Sequence, residues 1–380
     1  MMALQATNFA GFCTAAGVWT SLKLDESNPA NRRMLAPEGG LDPHELLTVT
    51  PLNACLSAGS SAELVDTIVE EKRKGERSEL YHYLTSCCEP ASWTLPRFWS
   101  TSQIERVRCP SLSERMMEEK RAVASAESKD HIWAEAVVST RAAYVDDGRI
   151  ALVPMLDMIN HCPWGKPTSC VVNDQHVELS TAARFEDGQE VFIKYGDLSN
   201  SAMLLDYGFL PNDDDGRLLN PDDHADVVVD VVNEMGKKRR VTIRCLAPYG
   251  IVSDKSLASL RGALLSPSEA FMSSPAFFTP GNLAFASPVS PENERAVQDL
   301  LVREIGKAAT FASLSEDLEE VHQDHDTVSD LIQQFNRRRS ELLWKSREWV
   351  LATRPGSRIG SLDYDHQARG APEARTKVAR

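Results

Sequence analysis

The chain has 380 residues and a formal net charge of −14, and 42% of its residues are hydrophobic. This length indicates two domains or one large domain with an insertion, and the hydrophobic content is enough for packed cores. The negative charge argues against a nucleic-acid-binding protein, which needs a basic surface, and favours a basic protein segment as partner. No apolar run reaches the roughly 18 residues of a membrane span, so we expect no membrane association.

Eight cysteines are scattered along the chain, and none forms a Cys-x-x-Cys pair. This spacing excludes the usual structural zinc sites, so we expect no metal and reduced cytosolic thiols. The N-terminal segment, residues 1–30, has no acidic residue before Asp25, which is typical of a transit peptide. It also has no arginine, so a transit peptide has little support. We therefore expect the cytoplasm or the nucleus, with the chloroplast as the alternative location.

After the N-terminal segment, the pattern changes from strand to helix. Turn-forming glycines at 39–40 precede a short strand pattern at Glu45–Val49. Residues 61–130 are charged and carry helical apolar stripes, which predicts a helical insert. A further helix is predicted over Trp133–Tyr144.

Residues 151–209 contain two polar clusters joined by a strand-and-turn pattern that can fold back as a hairpin. In the first cluster, Asp157, Asn160 and His161 interrupt or follow an otherwise apolar run. Such groups need partners, because an unpaired buried polar group costs about 1–3 kcal/mol. Those partners are either a ligand or, in a simple turn, the backbone beside the asparagine.

The second cluster contains two tyrosines that each precede a glycine. A strand predicted over Glu190–Tyr195 ends at Tyr195-Gly196, and Tyr207-Gly208 follows a short helical segment, Ser199–Leu205, that begins at a capping serine. The two phenols can converge on one cavity. The alternative is that both are ordinary core residues.

Together these residues resemble the SET-domain protein methyltransferases, in the branch of the Rubisco large-subunit lysine methyltransferase and its histone, ribosomal-protein and actin-modifying relatives. The Asn-His motif matches Asn160-His161. The family's Gly-Glu-x-hydrophobic-x-x-Tyr strand matches Gly188–Tyr195 with Gln189 inserted, and its Tyr-Gly-Phe motif matches Tyr207–Phe209. The resemblance implies an α+β fold: a SET-domain β-fold with knot-like C-terminal threading over residues 31–215, with the helical insert at about 61–130.

The resemblance also implies roles for six residues and a cofactor, S-adenosyl-L-methionine. Tyr195 would be the catalytic residue, and Tyr207 would bind substrate by lining the channel for the target nitrogen. The cofactor-binding residues would be Arg141, Asp157, Asn160 and His161. Arg141, in a Ser-x-Arg position, would hold the carboxylate of the cofactor's methionine part; the alternative is an ion pair on a surface helix.

One part of the chain departs from the family pattern. The family's Gly-x-Gly motif before the first long strand falls on Arg32-Arg33-Met34, so that both glycines are missing. Glycine tolerates backbone angles that other residues do not. We expect that Arg32 and Met34 reshape the cofactor cleft, unless Gly11–Gly17 supplies the glycines and the residues between are an insertion.

The acidic, turn-rich residues 211–223 mark a boundary. A β-hairpin is predicted from Ala225–Val232 and Arg240–Ile243, followed by helical stripes at Leu257–Leu265, Glu294–Phe311 and Thr327–Ala352. The region 225–355 resembles the helical, all-α C-terminal domain that binds the protein substrate in the Rubisco methyltransferase branch. We interpret the cluster Arg337–Arg339 as a solvated helix face, and the polar tail, residues 356–380, as disordered.

The resemblance implies a monomeric protein-lysine N-methyltransferase with a protein substrate. Two alternatives stay open: a protein histidine methyltransferase, and a catalytically inactive protein-binding module that has kept the fold. A hydrolase that uses His161 is disfavoured, because the chain has no Gly-x-Ser-x-Gly motif.

Overall fold

A computed structural model of the chain describes residues 8–27, 32–86, 94–126, 128–145, 148–211, 220–272, 285–314 and 327–353. The tail at 356–380, predicted to be disordered, lies outside the described residues, as does most of the acidic boundary segment. No helix within the described ranges is long and apolar enough to cross a membrane.

Fourteen short strands are distributed over the described residues. In chain order they are β1 (Trp19–Thr20), β2 (Lys23–Asp25), β3 (Arg33–Leu35), β4 (Leu46–Pro51), β5 (Leu56–Ala58), β6 (Ala143–Tyr144), β7 (Ile150–Leu152), β8 (Asn160–His161), β9 (Thr168–Val172), β10 (His176–Thr181), β11 (Phe192–Ile193), β12 (His224–Val232), β13 (Lys238–Leu246) and β14 (Ile251–Val252).

Eleven helices are described. They are α1 (Phe9–Ala15), α2 (Ser61–Lys74), α3 (Tyr81–Leu84), α4 (Thr101–Glu105), α5 (Pro110–Ser125), α6 (Lys129–Arg141), α7 (Asn200–Ala202), α8 (Asp254–Ala263), α9 (Pro267–Met272), α10 (Pro291–Ser313) and α11 (Thr327–Ala352). A π-helical turn, Met203–Tyr207, continues directly from α7.

Strands β1–β11, which lie in the first region of the molecule (residues 8–211), form four small sheets. One has the order β1-β4-β10-β9 and is antiparallel, and it contains the hairpin expected between the two polar clusters. The others are β2-β3, β5-β7-β6 and the parallel pair β8-β11. Alternate side chains of β10, Val177 and Leu179, are buried with Leu47 of β4 in one core, as the two-residue period of a half-buried strand requires.

The helical insert packs its apolar stripe against this core. Helix α2 is preceded by the N-cap residue Ser60, whose side chain accepts a hydrogen bond from the backbone N–H of Glu63. Leu64, Ile68 and Val69 follow at helical spacing and are fully or almost fully buried. Each such side chain contributes about 1.5–3 kcal/mol of burial free energy.

The C-terminal region places helices on one face of a three-stranded sheet. The predicted hairpin is present: β12 and β13 pair from His224↔Leu246 to Val232↔Lys238. Ala225, Val227, Val229 and Val231 point into a core shared with α8, α10 and α11. Helix α11 has the bounds that the sequence pattern predicted.

Helix α11 also joins this region to the insert. Ile332 and Phe335 share a core with Trp99 and Met116 of the insert. The interpretation of Arg337–Arg339 as a solvated face was wrong for two of the three residues: Arg338 and Arg339 are each 6% exposed. Arg338 donates to the Pro211 carbonyl at 2.7 Å and Arg339 to the Asp226 carbonyl at 2.7 Å, because α11 lies against other elements on this side.

Candidate active site

The two polar clusters meet because β8 and β11 pair in parallel. Phe192 is in register with Asn160, and Ile193 with His161. The carboxyl ends of parallel strands lie at the same edge, so the residues that follow β11 come to lie beside those of β8. The strand before Tyr195 is shorter than predicted, since only Phe192–Ile193 pairs as a strand. Tyr195 nevertheless lies at the end of β8.

Asn160 is held by two acceptors from distant parts of the chain. Its Nδ2 donates to the Arg32 carbonyl at 2.9 Å and to Glu190 Oε1 at 2.9 Å. The simple turn considered for this asparagine is therefore wrong, because its partners are 128 and 30 residues away. An amide has two N–H donors and both are used, so Oδ1 is the part of Asn160 that can receive a ligand's donor.

His161 is buried and neutral. Its Nδ1 accepts a hydrogen bond from the Tyr195 backbone N–H at 2.9 Å, so the proton is on Nε2. Burial, helped by the positive charge of Lys194, lowers the pKa of His161 to about 4. Within the described part of the chain, buried Nε2 has no hydrogen-bond partner. The ring can therefore orient Tyr195 and still donate one hydrogen bond.

Tyr195 joins the two clusters through its hydroxyl and its ring. The hydroxyl donates to the Ile159 carbonyl at 2.9 Å. The ring centroid lies 5.0 Å from that of His161 and 5.2 Å from that of Tyr207. Burial raises the pKa of Tyr195 well above its usual range, so the phenol stays protonated near neutral pH.

Tyr207 and Phe209 extend this aromatic wall. The Tyr207 ring lies 6.3 Å from that of Phe209 in an edge-on arrangement, and both pack against the small core of Leu198, Ala202 and Met203. Gly208 between them has φ +75°, and a Cβ there would lie 2.7 Å from the Thr94 carbonyl carbon. Glycine is therefore needed at this turn, which fixes the directions of the two aromatic side chains.

Asp157 and Arg141 form a buried pair behind the first cluster. Arg141 donates to the Asp157 carbonyl at 2.9 Å and lies 3.4 Å from its Oδ2. The Asp157 side chain is 1% exposed, and burial raises the pKa of the carboxyl even though Arg141 opposes the shift. The alternative of a surface ion pair for Arg141 is wrong, since its partner is a buried carboxylate.

Tyr83 is a member of this network that the sequence reading missed. Its hydroxyl donates to Asp157 Oδ2 at 2.8 Å, its side chain is fully buried, and Phe12 stacks on its ring at 5.7 Å. The only sequence signal was a tyrosine in an apolar helical stretch. Its partner is 74 residues away, and local periodicity carries no information on that distance.

The segment that replaces the family's two glycines lies directly against the site. The Met34 carbonyl accepts from the Val191 N–H at 2.8 Å, and Met34 is fully buried in β3. A regular strand suits any residue, so no glycine is required at this position. The alternative glycines at 11–17 lie in and after α1, which packs on Tyr83 and α3. The structure therefore favours Arg32–Met34 as the segment that borders the site.

Several polar atoms around these residues are buried but unsatisfied. Among the described residues, Arg32 Nη1, His161 Nε2 and Asp157 Oδ1 have no hydrogen-bond partner. Buried polar groups are normally paired, so each such group calls for an explanation. A polar ligand with both donors and acceptors fits this set. No group of three or more metal-ligating side chains is present in the same residues.

Searches against known sequences find partial matches, and no family model matches the chain. The chain is 36% identical over 96 residues to the SET domain-containing protein 4 of Mus musculus, which is 21% of this chain and 20% of that protein. It is 24% identical over 136 residues to a ribosomal lysine N-methyltransferase of Schizosaccharomyces pombe, and 27% identical over 203 residues to the actin-histidine N-methyltransferase of Drosophila melanogaster. The last two matches span 35% and 37% of those relatives.

Solved structures match nearly the whole chain. The SET domain of LSMT bound to lysine and AdoHcy superposes with a TM-score of 0.70, at 15% identity, over 92% of this chain and 91% of that chain. Rubisco LSMT bound to AdoMet superposes with a TM-score of 0.67 over 92% of each chain. These matches confirm the resemblance and the α+β fold class that the motifs indicated: the chain has the SET-domain fold of Rubisco LSMT, with a helical C-terminal region.

Proposed function

We propose that the chain is a protein methyltransferase that uses S-adenosyl-L-methionine, acts as a monomer and modifies a lysine side chain of a protein substrate. The observation that carries the proposal is the convergence of Asn160, His161, Tyr195 and Tyr207 at the ends of β8 and β11. The likeness to Rubisco LSMT, whose structures contain AdoMet, AdoHcy or methyllysine, supports it.

The cofactor would be held by residues of the first polar cluster. Asn160 Oδ1 offers an acceptor to an ammonium group, and the buried His161 Nε2 offers a donor. Arg141 and Asp157 form the wall behind them. When bound, the cofactor supplies an electrophilic methyl group on a sulfonium, and the thioether that remains after transfer is a good leaving group. The residues therefore need to position the acceptor nitrogen in line with that bond rather than activate the donor.

The aromatic wall has the properties that a lysine acceptor requires. A free lysine has a pKa near 10.4 and is mostly protonated at neutral pH, when it cannot accept a methyl group. Tyr195, Tyr207 and Phe209 pack against apolar residues, and desolvation in such surroundings lowers a lysine pKa. The wall would thus favour the neutral amine.

Tyr195 would act through hydrogen bonding and shape. Its raised pKa keeps the phenol protonated, so it does not serve as a general base. Its hydroxyl is fixed on the Ile159 carbonyl, and these two oxygens can guide the methyl group by weak C–H···O contacts. The proton of the lysine is lost to solvent before transfer.

A histidine acceptor is the second candidate, and one observation favours it. The match to the actin-histidine N-methyltransferase covers 41% of this chain, against 34% for the ribosomal lysine enzyme. An imidazole with an ordinary pKa near 6.5 is already neutral at pH 7.5 and needs less desolvation. Lysine is preferred because the aromatic wall is apolar and closely packed.

The test is transfer of a labelled methyl group to proteins of a cell extract, followed by mass spectrometry of the labelled band. We expect one principal labelled protein, with the label on a lysine nitrogen. A labelled histidine would select the second candidate. Saturable binding of S-adenosylmethionine without transfer to any protein would select an inactive binding module, and absence of both would contradict the proposal.

A further inference from the structure

Arg32 occupies the position of the first missing glycine and lies at the polar corner of the site. Its carbonyl accepts one of the two hydrogens of Asn160 Nδ2. Its side chain is only 18% exposed. A residue whose backbone carbonyl binds Asn160 therefore carries a long, largely buried cationic side chain, where the family's motif has a glycine.

The guanidinium of Arg32 is under-satisfied. Nη1 is buried and has no hydrogen-bond partner in the described part of the chain. The nearest acidic group is Glu26, whose Oε1 is 3.8 Å from Nε and whose side chain is 61% exposed. That distance is too long for a hydrogen bond. A buried, charged N–H donor without an acceptor is costly, and a bound anion would remove the cost.

Arg32 and Asn160 together present complementary groups. The N–H donors of Asn160 are used by Arg32 and Glu190, so its Oδ1 faces any ligand as an acceptor. Arg32, whose own carbonyl binds Asn160, adds a buried cationic donor, Nη1. An acceptor and a cationic donor carried by two contacting residues match a zwitterion, with its ammonium group on Oδ1 and its carboxylate on the guanidinium. Nη1 of Arg141, by contrast, is engaged with the carbonyl and carboxylate of Asp157.

We propose that Arg32 binds the carboxylate of the amino-acid part of S-adenosylmethionine. The sequence motif had assigned this role to Arg141. The inference rests on the proposed function, because it concerns the same cofactor. The arginine at this glycine position is then a specificity-determining contact for the cofactor.

The test compares two cofactors that differ in one group. Decarboxylated S-adenosylmethionine keeps the adenosine, the sulfonium and the ammonium but lacks the carboxylate. Calorimetric dissociation constants for both are measured with the full chain, without any activity assay. We expect the wild type to bind S-adenosylmethionine about 10- to 100-fold more tightly than the decarboxylated form, the size of one charged hydrogen-bonded contact. In Arg32→Ala this preference falls to about 1.

Arg33→Ala is the matched control. Arg33 is the adjacent arginine, but it pairs with Asp25 at 2.6 Å and its side chain is 44% exposed, so the preference should stay at the wild-type value. If Arg32→Ala does not fold, Arg32→Lys keeps the charge without the planar fork and should give an intermediate preference. Circular dichroism of each variant checks the fold.

The outcomes separate this inference from the proposed function. If the wild type binds neither cofactor, the proposed function fails. If the wild type binds S-adenosylmethionine but shows no preference, or if Arg32→Ala keeps the preference, the role of Arg32 is overturned and the proposed function stands. Loss of the preference in Arg141→Lys but not in Arg32→Ala would return the carboxylate to Arg141.

Discussion

Two buried arginine–carboxylate pairs, one in each region of the molecule, differ in how completely they are satisfied. In the C-terminal region, Arg261 holds Glu294 through two parallel hydrogen bonds, Nε–Oε1 at 2.6 Å and Nη2–Oε2 at 3.0 Å. In the SET region, Arg141 reaches only one of the two carboxylate oxygens of Asp157, and the other, Oδ1, has no partner among the described residues. Both carboxylate oxygens of Glu294 are hydrogen-bonded, whereas Oδ1 of Asp157 can still accept a hydrogen bond.

This difference indicates which pair serves structure and which borders a site. In a bidentate pair both carboxylate oxygens are already hydrogen-bonded to the guanidinium, so the pair has no acceptor left for a ligand. An incompletely satisfied carboxylate carries a cost that a bound molecule can remove, and buried atoms of Arg32 and His161 are unsatisfied as well. Four predictions test this difference between the two regions.

The largest expected effect is on stability, in Glu294→Ala. Removal of the carboxylate leaves the buried charge of Arg261 without a counterion, with only the Phe285 and Ala286 carbonyls as acceptors, and we expect a loss of about 3–5 kcal/mol in the free energy of unfolding. Urea unfolding measures it. Glu304→Ala, on the same helix, is the control: Glu304 pairs with exposed Arg303 and Lys307, and its loss should cost at most about 1 kcal/mol. Equal losses of stability in Glu294→Ala and Glu304→Ala would contradict a structural role for the buried Arg261–Glu294 pair.

The second prediction concerns pH and His161. Its folded-state pKa is lowered to about 4, below the unfolded value of about 6.5. The stability that it contributes is thus complete above pH 6.5 and is lost as the pH falls toward 4, by up to about 3 kcal/mol. Titration of the His161 ring by NMR should show a neutral imidazole at pH 5.5. A midpoint near 6.5 would contradict the buried, oriented ring.

The third prediction tests the hydrogen bond of Tyr83 to Asp157. Tyr83→Phe removes a donor from a buried carboxylate and should cost about 1–3 kcal/mol at neutral pH. Loss of this donor raises the pKa of Asp157 further, so the destabilisation shrinks as the pH falls and the carboxyl takes up its proton in the folded state. Unfolding free energies at several pH values measure this trend. A loss that does not depend on pH would contradict it.

A matched control for Tyr83 lies on the same helix. Tyr81 is partly exposed and its ring contacts that of His82. Its substitution by phenylalanine removes a hydroxyl from near the surface, where such changes usually stay within about 0.5 kcal/mol. A loss in Tyr81→Phe as large as that in Tyr83→Phe would indicate a general effect on α3 rather than one on Asp157.

The sequence was most informative where periodic patterns or a contiguous motif carry the signal. The long amphipathic helix α11 and the β12–β13 hairpin were predicted because apolar residues recur at 3.6 or 2.0 positions over many residues. The meeting of Asn160 and His161 with Tyr195 was anticipated because a hairpin of limited length separates the two clusters.

The sequence was least informative about contacts between distant segments. Arg338 and Arg339 look like surface residues locally, but they bind the carbonyls of Pro211 and of Asp226 in β12. Tyr83 meets a carboxylate 74 residues later, and Arg32 meets an asparagine 128 residues later. Charge and periodicity describe a segment's own surface, not which segment will cover it.

The fourth prediction tests the central claim, that the Asn160–His161 corner and Tyr195 form one methyl-transfer site. Transfer from labelled S-adenosylmethionine to extract protein is compared in the wild type and in Tyr195→Phe, with cofactor affinity measured in parallel. We expect the rate in Tyr195→Phe to be reduced about 10²- to 10³-fold, the usual cost of one positioned donor, with cofactor affinity retained. Wild-type rates in Tyr195→Phe would contradict it.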